Sequence, residues 1–157
     1  MVNKNIEIRN AKLKYKNFSG RATDFDPKGT RTFNVVLDEE IAHELKADGW
    51  NVKERTPKEE GMPVTYDMKV KIRYDNYPPV IAQVTSNGKK ILKEEEIGML
   101  DWAETTNIDL IIRPYNWENS TGSGVTAYLK TMVVTLDEDP LLAEYGLYDV
   151  SAEENGD

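Results

Sequence analysis

Basic and aromatic residues alternate along several segments of the chain, and together they could contact a nucleic-acid strand. In TYDMKVKIRYD, Lys69, Lys71 and Arg73 share one face of a predicted strand, and in NIDLIIRPYNW a face carries Tyr115 and Trp117. Lys and Arg neutralise phosphates, whereas flat rings stack on bases of any sequence. A ring on the solvent face of a strand has no packing role there, so this pattern indicates binding of single strands.

The N-terminal part of the chain is its most basic region. Residues 1–36 contain eight Lys or Arg and three Asp or Glu residues, a net charge of +5. An ordinary solvated sheet face explains any single basic row equally well, but several rows on different strands favour binding. The candidate nucleic-acid-binding residues are Lys12, Lys14, Lys16, Phe18, Arg21, Lys53, Arg55, Lys69, Lys71, Arg73, Tyr77, Arg113, Tyr115, Trp117, Tyr128 and Lys130. Phe33 and Trp50 alternate in step with apolar neighbours and are predicted in the core.

The sequence contains no group of residues typical of a catalytic or metal site. His43 is the single histidine, and it lies in an amphipathic helical pattern at no metal-ligand spacing. The chain has no cysteine, which excludes disulfides and thiolate–metal sites. The acidic run at 94–96 is typical of a helix N-terminus, and GSG at 122–124 lacks the strand and helix that flank a phosphate loop. We therefore expect a protein that is not an enzyme, with no cofactor and no metal.

The net charge of −8 is carried entirely by the C-terminal end of the chain. Residues 137–157 hold eight acidic residues and no Lys or Arg, whereas residues 1–136 hold 20 acidic and 20 basic residues. The local field governs binding of a polyanion more than the total charge does. We predict one domain over residues 1–136 and an acidic, flexible tail over residues 137–157. PLLAEYGL, inside the tail, could instead form a short helix packed on the domain.

Strand patterns dominate the chain. Apolar and polar residues alternate in AKLKYKNF, RTFNVVL, TYDMKVKIRYD, PVIAQV, NIDLIIRPYNW and VTAYLKTMVVTL. In the first of these segments, Ala11, Leu13 and Tyr15 are predicted on one face and the lysines on the other. The loop ENSTGSG joins the last two strands as a hairpin.

Two helical patterns interrupt the strands. Asp38 can cap a helix in EEIAHELKA, and EEEIGMLDWAE predicts a second helix near 94–104. A helix before a terminal hairpin suits a mainly β fold, a five-stranded barrel of the OB type, with the first helix inserted after an early strand. A β-sandwich or another small barrel stays open.

The N-terminal segment and the overall hydropathy predict the cellular compartment. MVNKNIEIRN has no apolar run typical of a signal peptide, and no stretch approaches the length needed to cross a membrane. Together with the lack of cysteine, these features predict a cytoplasmic protein that does not bind membranes.

Three segments together resemble a known family. They are GRATDFDPKGTRTFNVVLDEEIAHELKADGWNVK, PPVIAQV, and NIDLIIRPYNWE continuing into GVTAYLKTMVVTL. Over roughly residues 5–136, the chain resembles the single-stranded DNA-binding proteins encoded by phages and prophages of bacteria. The resemblance implies an OB-type fold, sequence-independent binding of single strands in phage replication or recombination, and action in the host cytoplasm. It also implies an acidic C-terminus that recruits proteins. Because this chain ends EENGD rather than on an apolar residue, recruitment through PLLAEYGLY is expected.

Two functions remain open on the sequence. The first is single-stranded DNA binding by a basic groove with aromatic stacking, in which the tail competes for the groove or recruits partners. The second is a non-catalytic phage structural or adaptor protein that binds another protein through the exposed barrel face. The expected partners are single-stranded DNA and, through residues 137–157, replication or recombination proteins; a homodimer is left open. A steep salt dependence would favour DNA, since phosphate binding releases counterions.

Overall fold

The computed structural model describes residues 4–24, 27–75 and 77–145. In these residues nine strands form one sheet. The strands are β1 (Ile6–Ile8), β2 (Leu13–Asn17), β3 (Thr32–Leu37), β4 (Val52–Arg55), β5 (Thr65–Lys71), β6 (Val80–Thr85), β7 (Gly88–Leu92), β8 (Thr105–Asn119) and β9 (Gly122–Leu136). The helices are α1 (Glu39–Ala47), a 3₁₀ helix (Glu94–Asp101) and α2 (Pro140–Glu144). The mainly β prediction is confirmed, and both predicted helical segments form.

The strands follow the order β1-β8-β9-β5-β3-β2. β8 and β9 form a long antiparallel hairpin, and β9 continues the sheet by parallel pairing with β5 and with β6. β4 pairs with β5, and β7 pairs with β6. The first and last strands of the order, β1 and β2, are joined by residues 9–12. Within this link, Ala11 N–H donates to the Ile108 carbonyl (2.7 Å), and the Lys12 carbonyl accepts from Val36 N–H (2.9 Å).

The strand count differs from the five predicted strands. β1 has three residues and β4 has four, which offer too few alternating positions to be recognised by periodicity. The segment PVIAQV does not end at its last apolar residue, because Thr85 pairs with Gly88 and the chain returns as β7. The glycine sits at φ 129°, in a region that favours glycine at this turn. Short strands and one tight turn therefore account for the difference.

The core is formed by the apolar faces of the long strands and by the helices packed against them. Tyr66, Met68, Val70 and Ile72 are buried as the alternation of β5 predicts. The predictions that Phe33 and Trp50 are core residues are confirmed.

Helix α1 begins where the sequence places it. The Asp38 carboxylate caps it by accepting a hydrogen bond from Ile41 N–H (2.8 Å). The inner face of the helix is set by Ala42 and Leu45, which are both buried. No helix of the described residues is long and apolar enough to cross a membrane.

Phe18, predicted to bind nucleic acid, lies in the core instead. It is 1% exposed, and its ring stacks on Phe33 at 5.4 Å between centroids. The backbone explains this placement, because Asp101 Oδ1 accepts a hydrogen bond from Phe18 N–H (2.6 Å) and its carboxylate also holds Ser19. These hydrogen bonds fix the backbone just after β2, and the ring of Phe18 points into the core. The assignment of Phe18 to the binding surface is wrong.

The alternation of β2 breaks at Tyr15. This residue has φ 53°, and the pairing of β2 with β3 shifts between Lys14 and Asn17. The shift is a β-bulge, which reverses the direction of the side chains beyond it. The ring of Tyr15 is therefore 65% exposed rather than directed with Leu13 toward the core. The predicted face of Tyr15 is wrong for this reason.

The start of the predicted tail is attached to the sheet. Asp137 N–H donates to the Glu104 carbonyl (2.9 Å), and the Glu138 carboxylate accepts from Ser86 N–H in the β6–β7 turn (2.7 Å). Helix α2 then forms inside the segment PLLAEYGL, but Leu141 is 62% exposed, so the predicted packing of this helix on the domain stays a prediction. Residues 146–157 of the predicted tail lie outside the described residues.

Candidate nucleic-acid interface

One face of the sheet collects the predicted basic and aromatic rows. Lys71 of β5 pairs with Tyr128 of β9, and Tyr128 pairs with Arg113 of β8. Side chains of paired residues project to the same side of a sheet. Along its other edge, β5 pairs with β3, and there Lys69 lies opposite Asn34. The rows read from separate segments of sequence therefore form one continuous surface across β8, β9, β5 and β3.

A cleft of about 810 Å³ lies on this face between β2, β3, β4 and β5. Its basic lining residues are Lys16, Arg21, Arg55, Lys69 and Lys71. Among the described residues that line it, none is acidic; the others are Tyr, Asn and Thr. A cleft whose described wall has five cations and no anion concentrates positive potential, which attracts a polyanion. We call this cavity the main cleft.

A second cleft of about 490 Å³ adjoins the main cleft. Lys69 and Lys71 line both cavities, so the two are parts of one path across the sheet. The second cleft contains Trp117, whose ring is 37% exposed and lies beside Gly124 of β9. A partly exposed ring beside lysines can stack on a base while the ammonium groups contact phosphates.

Rings and a guanidinium group form a series of contacts on this surface. The Arg113 guanidinium lies 4.9 Å from the ring centroid of Tyr77 and 5.4 Å from that of Tyr128. Tyr128 in turn meets Tyr115 edge to face at 6.1 Å. Both Tyr77 and Tyr115 keep exposed ring surface. Because the guanidinium is held between two rings, this series presents flat aromatic surface and positive charge together.

A buried carboxylate lies beneath the main cleft. The side chain of Asp67 is fully buried and accepts hydrogen bonds from Arg55 Nε (2.9 Å), Arg55 Nη2 (3.1 Å) and Asn34 Nδ2 (2.7 Å). Burial alone would raise the pKa of Asp67, but these hydrogen bonds and the attraction of Arg55 hold that pKa below its ordinary value. The same pairing raises the pKa of Arg55. The Arg55 guanidinium lies 5.7 Å from the ring centroid of Tyr15.

The remaining predicted residues lie around the clefts or away from them. Lys16 lines the main cleft, and its Nζ donates to the Leu100 carbonyl (3.0 Å). Arg73, just past β5, pairs with Asp75 (2.6 Å), whose hydrogen bond raises the pKa of the guanidinium. Lys12 lines a separate depression near the start of β8. Apart from the buried Phe18, the predicted residues that line neither of the two clefts are Lys12, Lys14, Lys53, Arg73, Tyr77, Arg113, Tyr115, Tyr128 and Lys130. Of these, Arg113 and Tyr128 are half-buried and the others are exposed.

Sequence reasoning missed two aromatic residues at the main cleft. Tyr15 lines it because of the bulge in β2, and no periodicity signal reveals a bulge. Trp102 is 52% exposed at the end of the 3₁₀ helix, and the guanidinium of Arg21, a cleft residue, lies 5.2 Å from its ring centroid. A Trp left on the polar side of a helical pattern is a signal that could have identified Trp102.

The described residues contain no group of three or more His, Asp or Glu side chains placed to hold a metal ion. His43 has a structural contact, since its Nε2 lies 3.3 Å from the Tyr66 hydroxyl.

A β sheet that joins cationic clefts to exposed rings on one face is suited to binding nucleic acid. The family model of the phage ssDNA-binding domain matches residues 1–155. The chain belongs to this family, and the family resemblance predicted from the sequence is confirmed.

Solved structures of phage proteins share this fold. The single-stranded DNA-binding protein from bacteriophage Enc34, in complex with ssDNA, is 12% identical, with a TM-score of 0.56 over 87% of this chain and 89% of that chain. Another structure of the Enc34 protein is 13% identical, with a TM-score of 0.55 over 96% and 90% of the two chains. At such identities the likeness shows the fold alone. Among curated proteins, none matches the chain.

Proposed function

We propose that the protein binds single-stranded DNA without sequence preference, through the two clefts and the rings beside them. The observation that carries this proposal is the wall of the main cleft, which has five basic residues and, among its described residues, no acidic one. Lys and Arg follow the phosphates, and exposed rings stack on bases. Membership of the phage ssDNA-binding domain family supports the proposal, as does the Enc34 protein, which was solved in complex with ssDNA.

The bound DNA strand runs from Trp117 to Trp102. It passes from the second cleft over Lys69 and Lys71 into the main cleft, because these two lysines line both cavities. It then reaches Arg21, whose guanidinium stacks on Trp102. The series of Arg113, Tyr128 and Tyr115 borders the path where β8 and β9 meet β5. Bases stack on the rings along this path.

The fold is an OB-type barrel with additions. Two observations support this: β1 and β2 are joined by residues 9–12, and together they pair with β8 on one side and β3 on the other. Counted as one bent strand, they close the order β1-β8-β9-β5-β3-β2 on itself, as the strands of an OB barrel do. The 3₁₀ helix precedes the β8–β9 hairpin, as the helix of an OB fold precedes the last two strands. β4, β6, β7 and α1 are then additions to the barrel.

The protein acts in phage DNA replication or recombination, in the cytoplasm of the bacterial host. Such a protein coats transient single strands and needs no catalytic group. Its acidic tail, which begins near residue 137, competes with DNA for the cationic face and recruits replication or recombination proteins. The sequence supports this role because all of the net negative charge lies in residues 137–157.

Titration of intrinsic tryptophan fluorescence with oligo-dT at several salt concentrations tests the proposal. If four to six phosphates are neutralised, the log–log salt slope should be about −3 to −4, at roughly −0.7 for each phosphate. A duplex of the same length is the control and should bind much more weakly. Equal affinity for duplex or a flat salt response would contradict the proposal; a flat response together with capture of a phage protein would favour the adaptor function.

A further inference from the structure

We propose that Tyr15 and Arg55 form a preformed stacking subsite for one nucleotide in the main cleft, and that the buried Asp67 is its positioning residue. The base lies on the ring of Tyr15, and the phosphate contacts Arg55. This inference rests on the proposed binding of single-stranded DNA, and it adds Tyr15 and Asp67, to which the sequence pattern assigns no role there.

The backbone of Tyr15 is the first observation. Its φ of 53° lies in the left-handed region, which a bulky residue adopts only when its surroundings enforce it. Packing does not explain the conformation, because the bulge moves the ring out of the core and leaves it exposed. The result of this strained conformation is a tyrosine ring that lines the main cleft beside Arg55.

The fixed orientation of Arg55 is the second observation. Asp67 accepts hydrogen bonds from both Nε and Nη2 of Arg55, in the two-pronged geometry that holds a guanidinium most firmly. Asn34 donates to the same carboxylate and fixes it in turn (2.7 Å). Among the described contacts, Nη1 of Arg55 takes no part in this pairing, so it is the group that can contact a phosphate. The Arg55 side chain stays 45% exposed.

The negative charge of Asp67 distinguishes two mechanisms. A carboxylate beneath a cationic cleft repels a polyanion, so charge alone would disfavour this residue here. Asp67 can still favour binding by ordering Arg55, because an arginine already held in its binding rotamer loses less conformational entropy when DNA binds. Two mechanisms therefore predict opposite effects for removal of the charge. Electrostatics alone predicts tighter binding by Asp67→Asn, whereas a positioning role predicts weaker binding.

The decisive experiment compares Asp67→Asn with Glu54→Gln in oligo-dT titrations at low salt. Glu54 is the matched control, since it is an exposed carboxylate next to Arg55 on β4. We expect Asp67→Asn to weaken binding about fivefold, and Glu54→Gln to leave it unchanged or slightly tighter. In an Arg55→Gln background, Asp67→Asn should cause no further loss, since it acts through that arginine. Tighter binding by Asp67→Asn would overturn the positioning role. The same would follow if Asp67→Asn weakened binding as much in the Arg55→Gln background as in the wild type.

Variants of Tyr15 keep the subsite testable even if Asp67→Asn does not fold. The ring is exposed, so Tyr15→Ala and Tyr15→Phe leave the core intact. Tyr15→Ala should weaken binding about ten- to a hundredfold, the usual effect of removing one stacked ring, while Tyr15→Phe keeps wild-type affinity. Wild-type affinity in Tyr15→Ala would overturn the subsite. If the wild-type protein itself shows no salt-dependent binding of oligo-dT, the proposed function fails, which is a different outcome.

Discussion

The indole of Trp117 lies against Gly124, its partner on the neighbouring strand, so closely that a Cβ atom at residue 124 would lie 2.9 Å from Cζ2 of the ring. Carbon atoms in contact normally stay about 3.5–4.0 Å apart. Glycine therefore provides the space in which the ring rests on β9, with part of its surface open to the second cleft. The position of this ring depends on the absence of a side chain across the hairpin.

Gly124→Ala should displace the ring of Trp117 and weaken single-strand binding several-fold. The backbone at residue 124 is not in the left-handed region, so alanine causes no strain and the melting temperature should change little. Oligo-dT titration measures the effect. In a Trp117→Ala background the same substitution should have no further effect, because it acts through the ring. Equal losses in both backgrounds would show that the glycine matters for another reason.

Trp117→Ala should weaken binding about ten- to a hundredfold, since one stacked base contributes about 1–3 kcal/mol. Thermal stability should be nearly unchanged, because the ring lies on the polar face of the sheet. Affinity and thermal melting, measured on the same preparation, check both statements. A large fall in melting temperature with unaltered affinity would mean that the ring supports the fold rather than the ligand.

Lys69→Gln and Lys71→Gln should each reduce the steepness of the log–log salt dependence by about 0.7, the contribution of one phosphate on a single strand. The two lysines line both clefts, so any strand that follows the path passes them. Lys89→Gln on β7, which lines neither cleft, is the matched control. A slope as steep as that of the wild type in both cleft variants would place the DNA elsewhere.

Deletion of residues 146–157 should tighten single-strand binding at low salt, and the gain should shrink as salt screens the tail. The deletion begins after residue 145 because Asp137 and Glu138 are hydrogen-bonded to Glu104 and Ser86. A deletion from residue 137 would therefore disturb the sheet as well. A full-length variant with the four acidic residues of 146–157 replaced by their amides separates charge from length. Unchanged affinity at low salt would reject competition by these residues. Circular dichroism checks that the truncated domain remains folded.

Stability should fall as the pH drops below about 4.5. A hydrogen bond from Asn10 N–H lowers the pKa of Asp109 (3.0 Å), and one from Lys90 lowers that of Glu96 (2.6 Å). A folded-state pKa below the unfolded value adds stability above the unfolded pKa, and that stability is lost as the pH falls through the folded value. Thermal melts between pH 7 and pH 3 measure the loss. Asp109→Asn should be less stable at neutral pH and less sensitive to acid; identical acid profiles would contradict this role.

The sequence predicted the long elements and their faces because alternation over many residues carries strong information. The inward face of β5 and the outward rings of β8 follow directly from period-two patterns. The site was predicted less completely. Tyr15 reaches the cleft through a bulge opposite β3, and Phe18 is turned inward by Asp101 of the 3₁₀ helix. Both effects depend on contacts between segments that are separate in sequence. Strands of three or four residues, such as β1 and β4, are too short for periodicity to reveal.

The pairing of β1 with β8 sets the order of events when the protein folds. Ile6 lies opposite Ile112, so the first strand finds its partner only after most of the chain has been made. Contacts between segments so far apart in sequence slow folding, because a long loop must close before they form. During synthesis, Ile6 and Ile8 cannot pair with β8 until that strand has left the ribosome. The pairing of β1 with β8 is therefore expected to be a late step of folding, and the edge of β8 stays open to other chains until then.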